Sequence, residues 1–303
     1  MGACDDADTM TAPYPAELVE ALVDWYDHSA RDLPWRVPGT GAWPVLVSEV
    51  MLQQTPVARV RPVWHEWLQR WPTPAALAAA APGDAVRAWG KLGYPRRALR
   101  LHQCSRAIVD RFGGQVPTAV DELESLPGIG SYTARAVAVF AHGQRHPVVD
   151  TNVRRVVARA IAGQGEPGPP STRRDLEAVA TLLPPARARA ARVSIALMEL
   201  GALVCTARAP RCPECPLETW CAWRTAGSPV YAGPRARPQK FAGTDRQVRG
   251  LLMDVLRGAD SAVPKPALDV VWPDGVQRER ALDSLVADGL VDALPDGTYA
   301  LPS

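Results

Sequence analysis

The sequence predicts a mostly α-helical protein with a small C-terminal module of helices and a hairpin. Three observations predict it. Amphipathic stretches separated by Pro and Gly breaks run over residues 16–29, 45–70, 84–90, 96–112, 132–142, 151–162, 172–183 and 187–204. No series of alternating strands occurs before residue 290. Beyond residue 243, two helical stripes (Val248, Leu251, Leu252, Val255, Leu256 and Ala281, Leu282, Leu285, Val286, Leu290) precede VDALPDGTYAL. That last run reads as a hairpin around Pro295-Asp296-Gly297, so residues 244–303 form a winged-helix-like module. The 303 residues, 47% hydrophobic, suffice for one large or two smaller domains, each with a real core.

The first ten residues, MGACDDADTM, are acidic, with no basic and apolar leader. No uninterrupted apolar run is long enough to span a bilayer. A cytoplasmic protein with no membrane partner is expected. Net charge is only +2, but residues 244–303 carry six basic and ten acidic side chains, which leaves +6 on residues 1–243. The body can grip an anionic polymer; the acidic module is not its main phosphate contact. Between them, Arg224, Arg235, Arg237 and Lys240, with three prolines and no acid over 222–242, mark a basic linker placed at 226–243.

The run LPGIGSYTA, Leu126–Ala134, joins two helical stretches. Pro127 ends one helix, Gly128 and Gly130 permit a tight turn, and the next helix directs its positive dipole end at the same spot. A helix-hairpin-helix built this way holds a DNA phosphate without reading sequence. Eighteen residues beyond Tyr132, Asp150 in HPVVDTNVRRVVAR stands where a helix begins and fits an N-cap.

Cys205, Cys212, Cys215 and Cys221 follow with the spacing C-x6-C-x2-C-x5-C. Four thiolates so close bind an iron–sulfur cluster or zinc, or pair as disulfides. Nothing points to an oxidising compartment, and one CxxC with outer cysteines six and five residues away makes a poor zinc ribbon. The spacing favours a [4Fe–4S] cluster over zinc. Cys4 and Cys104 read as a tail residue and a buried helix residue.

The PGIG hairpin, the later aspartate and the four cysteines, in that order, resemble the endonuclease III superfamily of DNA glycosylases. Within it the chain resembles the MutY-type adenine glycosylases. The matching stretches are RDLPWR (31–36), VSEVMLQQT (47–55), WGKLGYPRRALRLH (89–102), LPGIGSYTA, VDTNV (149–153) and MELGALVC (198–205), and they cover roughly residues 15–225. The resemblance implies a two-lobed helix-hairpin-helix DNA glycosylase fold over residues 1–225. A six-helix lobe would span about 37–148 with the hairpin at 126–134, and a [4Fe–4S] cluster lobe would combine about 12–36 with 149–225. It implies a monomeric, nucleoid-associated repair enzyme whose partner is double-stranded DNA carrying a mispaired adenine.

Cleaving an adenine N-glycosidic bond needs an acid near the base and an anion near the sugar cation, a two-carboxylate logic. Glu49, flanked at helical spacing by Val45, Leu46 and Leu52, matches the family's acid, and desolvation on an apolar face favours the protonated form. Asp150 matches the carboxylate that stabilises the cation, with Asn152 orienting it or the water and Tyr132 beside the sugar. Strand-cutting relatives carry a lysine where this chain has Tyr132, and no lysine occurs between residues 92 and 239. A monofunctional enzyme is therefore expected. The target base must be flipped out and the gap filled. Gln53 and Gln54 resemble the family's plugging and pocket residues, Tyr94 resembles an aromatic wedge beside the orphaned guanine, and by the same resemblance Arg31 and Trp35 line the adenine pocket. Arg208 and Arg211, on the loop between the first two cysteines, touch phosphate.

The resemblance stops short at three places. Typical members carry a Nudix-like C-terminal domain with a Phe-Ser-His element, which this chain lacks. The aspartate motif is VDTN, where Gly more often precedes Asn, and Ile195 stands at a position that is often polar. A thymine glycosylase for G·T mismatches shares the tyrosine-type hairpin and the cluster. A non-catalytic iron–sulfur DNA-binding regulator is the alternative of another class.

Overall fold

A computed structural model describes residues 14–231, 233 and 240–303; Cys4, Arg235 and Arg237 lie outside the described residues. In chain order the helices are α1 (Ala16–Ser29), α2 (Ala42–Leu52), α3 (Val57–Arg70), α4 (Pro74–Ala78), α5 (Pro82–Trp89), α6 (Arg96–Phe112), α7 (Val120–Glu124) and α8 (Ser131–Phe140). They continue with α9 (Thr151–Ala160), α10 (Thr172–Ala180), α11 (Arg187–Leu203), α12 (Ala222–Thr225), α13 (Asp245–Gly258), α14 (Lys265–Asp269) and α15 (Gly275–Ala287). Three short strands, β1 (Val263–Pro264), β2 (Asp292–Ala293) and β3 (Thr298–Ala300), complete the module. Among the described residues no helix is long and apolar enough to cross a membrane.

Local chemistry sets several boundaries. The carboxylates of Asp150 and Asp274 cap α9 and α15 by accepting the backbone N–H three residues on. Gly113, left-handed at φ 60°, ends α6. The stretch 45–70, expected as one run, is two helices. Pro56 disfavours helical backbone at the residue before it, so the chain breaks at residues 53–56 and restarts as α3. That break carries Gln53 and Gln54.

The described chain divides into two compact units, one joining residues up to Arg36 with Arg135–Gly233, the other joining Val37–Ala134 with the residues leading to Ser303. In the first, Leu18, Leu22 and Tyr26 of α1 bury against Val153 and Val156 of α9 and Val193, Leu197 and Leu200 of α11. Arg189 and Arg192 on α11 pair with Glu20 and Asp27 on α1. In the second, Trp67 stacks edge-on against Trp71 and Trp89, with centroids 4.8 and 5.4 Å apart.

The module packs within this second unit. Its antiparallel sheet has the order β1-β3-β2, with Val263 opposite Tyr299 and Asp292 opposite Ala300. The β2–β3 turn is the expected hairpin, with Gly297 at φ 80°; β1 is an addition to it. The Arg87 guanidinium on α5 donates to the carbonyls of Arg257 and Ala259, and the Gly83 N–H donates to the Pro302 carbonyl at 2.7 Å. A Cβ on Gly83 would sit 2.5 Å from that oxygen, so only glycine lets the two segments approach.

Candidate active site and nucleic-acid interface

Asp150 is held at both carboxylate oxygens. Its Oδ1 accepts the Val153 N–H at 2.7 Å and its Oδ2 accepts Asn152 Nδ2 at 2.8 Å. Arg155, buried at 8% exposure, donates in turn to Asn152 Oδ1 at 2.9 Å and to the carbonyls of Gly201 and Cys205 at 2.6 and 2.7 Å. The α9–α11 approach is so close that a Cβ on Gly201 would lie 2.8 Å from Asn152 Cβ. Burial raises the Asp150 carboxyl above its ordinary value, opposed by the bonds from Val153 and Asn152. The result is an oriented carboxylate in a poorly solvated place.

In the same unit, Glu199 of α11 is fully buried and takes both Arg31 and Arg36. Arg31 donates from its backbone N, Nε and Nη2 at 2.9, 2.7 and 2.7 Å, and Arg36 donates from Nη2 at 2.9 Å. Burial opposes ionisation, but the two guanidiniums overcome it and hold Glu199 down to about 2. This pins RDLPWR onto α11 with Trp35 only 6% exposed. The Arg31 cation is committed to this pair.

In the other unit, Glu49 is 6% exposed on α2, among the buried Val45, Leu46, Val50 and Met51. The hairpin turns as expected. Leu126 and Ile129 are buried, Gly128 and Gly130 are exposed, and the Ile129 N–H closes onto the Leu126 carbonyl at 3.1 Å. Gly128 has φ 79° and a Cβ there would strike Arg100 at 2.7 Å; Gly130 has neither constraint. Tyr132 is half-buried on the first turn of α8, beside Thr133, whose hydroxyl accepts Gln53 Nε2 at 3.4 Å.

Gln54 and Tyr94 share a property that composition hides. Both adopt left-handed backbone, at φ 55° and 48°, which costs a non-glycine residue about 1–2 kcal/mol. Both line one cavity of about 570 Å³, together with Arg59 and with Phe241, Arg246 and Arg249 of the linker end and module. Arg97 of α6 spans the two loops. Its Nη1 donates to the carbonyls of Val50, Met51 and Gln53, and its Nη2 to Thr55 Oγ1 and the Gly93 carbonyl, both at 2.9 Å. Its guanidinium also lies over the Trp89 and Tyr94 rings. Desolvation lowers Arg97 to about 10, so it stays a cation at neutral pH.

Cys205, Cys212, Cys215 and Cys221 line a common pocket with Arg159 and Trp223, and none is in a disulfide. Among the described residues, no group of three or more His, Cys, Asp or Glu side chains is arranged to hold a metal ion. Arg159, 4% exposed, aims Nη1 at Cys205 Sγ at 3.5 Å, a cation facing where negative sulfur would gather. Burial pushes the Cys205 thiol up, and the Cys215 thiol to about 12. Residues so placed fit an anionic, multi-thiolate group. Arg208 is exposed on this loop, while Arg211 is drawn to the Leu203 carbonyl and Glu214. Cys104 is fully buried on α6, as expected.

Sequence reasoning left Arg97, Arg155, Arg159 and Glu199 unassigned. For Glu199 there was a signal: an acid inside the apolar run MELGAL needs a buried cation.

Residues 47–181 match the family described as HhH-GPD superfamily base excision DNA repair protein. An adenine DNA glycosylase from Mycobacterium tuberculosis is 59% identical over 282 residues, covering 93% of this chain and 92% of its own. The adenine DNA glycosylase of Homo sapiens is 42% identical over 210 residues, 66% of this chain and 38% of its own. Among solved structures, a thermostable thymine-DNA glycosylase matches with a TM-score of 0.63 at 25% identity, over 69% of this chain and 95% of that one. Similarity of this extent, on a fold that carries the hairpin, the capped aspartate and the four-cysteine pocket, shows that the chain belongs to the adenine DNA glycosylases of the HhH-GPD superfamily, enzymes of base excision DNA repair.

Proposed function

We propose that the protein hydrolyses the N-glycosidic bond of adenine mispaired with 8-oxoguanine or guanine in duplex DNA, and leaves the strand intact. The observation that carries the reading is the environment of its two carboxyl groups. Glu49 lies in an apolar helix face at 6% exposure, and Asp150 is fixed by two neighbours, Asn152 and Val153, with no lysine nearby in sequence. Glu49 donates a proton to a purine ring nitrogen as the C1′–N bond breaks and its electron pair stays with the base. Asp150 remains an anion and stabilises the sugar cation. Water adds to C1′ and loses a proton to the Glu49 carboxylate, which restores the acid. Tyr132, where strand-cutting relatives place a lysine, has no amine with which to form a Schiff base.

Gln53 and Gln54 fill the gap left by the flipped base and Tyr94 enters beside the orphaned guanine. The 570 Å³ cavity supports a role for the module, since Tyr94 and Gln54 share it with Phe241, Arg246 and Arg249. Trp35 borders the adenine pocket and Arg31 acts through Glu199, holding that segment in place. The [4Fe–4S] cluster is held by Cys205, Cys212, Cys215 and Cys221 and anchors the 205–221 loop, whose exposed Arg208 meets phosphate. Arg211 braces the loop through Leu203 and Glu214.

The test incubates purified protein with duplexes containing A opposite 8-oxoguanine, A·G or G·T, followed by alkali. Adenine release from the first two supports the reading. Release of thymine from G·T alone replaces it with the thymine reading, and no release from any leaves a non-catalytic DNA-binding protein. Nicking without alkali at the rate of base release would remove the monofunctional assignment.

A further inference from the structure

Gln54 and Tyr94 sit on different loops, both in left-handed backbone, and one side chain reaches the peptide group just before each. The Gln53 carbonyl belongs to the peptide that enters Gln54, and the Gly93 carbonyl to the peptide that enters Tyr94. Arg97 donates Nη1 to the first and Nη2 to the second. A peptide plane is one of the two references for the φ of the residue that follows it, so orienting that plane restricts the conformations open to Gln54 and to Tyr94. The same guanidinium binds Val50 and Met51 carbonyls at the C-terminal end of α2, where a cation is electrostatically favoured, and lies 5.6 Å from the Tyr94 ring centroid. Thr55 completes the tie, accepting from Arg97 and donating to the Leu92 carbonyl at 3.1 Å.

We propose that Arg97 is a positioning residue for base extrusion: through its planar fork it holds Gln54 and Tyr94 together in the conformations from which both enter the duplex. This rests on the reading of those two residues given above. A lysine cannot replace it, because a single ammonium reaches one of the two peptides but lacks the fork.

The full chain with Arg97→Lys is compared with the native protein on a duplex carrying 2-aminopurine in place of the target adenine opposite 8-oxoguanine. The part of the fluorescence rise that precedes base release, timed by alkali treatment of the same samples, reports unstacking. The expected result is a rise slowed about 10- to 100-fold, the scale of loss for a misplaced group, with affinity for undamaged duplex within about twofold of native. In the Tyr94→Ala background, Arg97→Lys should add less than about a further twofold, since its effect passes through that side chain. Where Arg97→Lys does not fold, Thr55→Val, near-isosteric and cut off from both Arg97 and Leu92, carries the same comparison. Equal rises in native and variant protein, no rise with native protein, or full additivity with Tyr94→Ala would each overturn the proposal. A normal native rise with no adenine release would instead overturn the catalytic reading and leave this one standing.

Discussion

At the scale of single residues the two carboxyl groups separate binding from chemistry. Glu49→Gln and Asp150→Asn should each abolish adenine release while mismatch-duplex affinity stays close to native, because the role proposed for each is in the transition state. General acid catalysis is typically worth on the order of 10²–10⁴-fold, and Glu49→Gln retaining more than about a tenth of the single-turnover rate would end its assignment as the acid. Burial raises the Asp150 carboxyl. An activity that needs its anion should therefore fade at a higher pH than an ordinary aspartate would set as the medium is acidified. The same raised value means that the ionised form opposes folding near neutrality, so Asp150→Asn, still a good helix cap, should melt no lower than the native protein. Glu199 has the opposite sign. Held down to about 2 from an ordinary 4.5, it adds stability that is complete above the unfolded value and lost as pH falls through the folded one. Glu199→Gln, measured by denaturant unfolding at pH 7, should cost about 3 kcal/mol, at the low end for a buried pair because Arg31 remains a third exposed.

Elements set what was legible in the sequence. The hairpin, the aspartate cap and the cysteine loop are local, each fixed by residues within a few positions, so spacing alone located them. Arg97 and the Glu199 pairs are not. Their partners lie 46 and 168 residues away, Met51 for Arg97 and Arg31 for Glu199, and no local period announces such a meeting. The run 45–70 was misjudged because its apolar pattern continues through Pro56 while the backbone does not. Among the elements, the α9–α11 contact joins the cysteine loop to Asp150 through Arg155. Gly201→Ala should push Asn152 away and lower the rate of base release more than it lowers the melting temperature suggests, read by single-turnover assay beside a thermal scan. Cys212→Ser should lower iron per chain and folding yield, and weaken duplex binding, while any fully loaded fraction keeps its rate of base release. A native protein that is colourless, free of iron and stoichiometric in zinc would refute the cluster.

For the whole molecule, the module is the open quantity. It is net acidic, so a chain ending at Lys240 should keep nearly the same salt slope for duplex binding, measured by titration at several salt concentrations. It should still release adenine, with a smaller preference for 8-oxoguanine over guanine, because the cavity beside Tyr94 loses Phe241, Arg246 and Arg249. It should also melt lower, since Arg87 and Gly83 lose their partners on the module. A collapse of duplex affinity with a flattened salt slope would make the module a DNA-binding wing instead.

The pairing of α1 with α11 has a consequence for the protein's birth. Asp27 and Arg192 meet across 165 residues of chain. At about 5–20 residues per second of synthesis, α1 leaves the ribosome roughly 10–30 s before α11 exists to cover Leu18, Leu22 and Tyr26. Through that interval the nascent chain trails a greasy stripe while the intervening segment is free to collapse first. The cysteine pocket is completed later still, because Cys205, Cys212, Cys215 and Cys221 follow α11 in the chain.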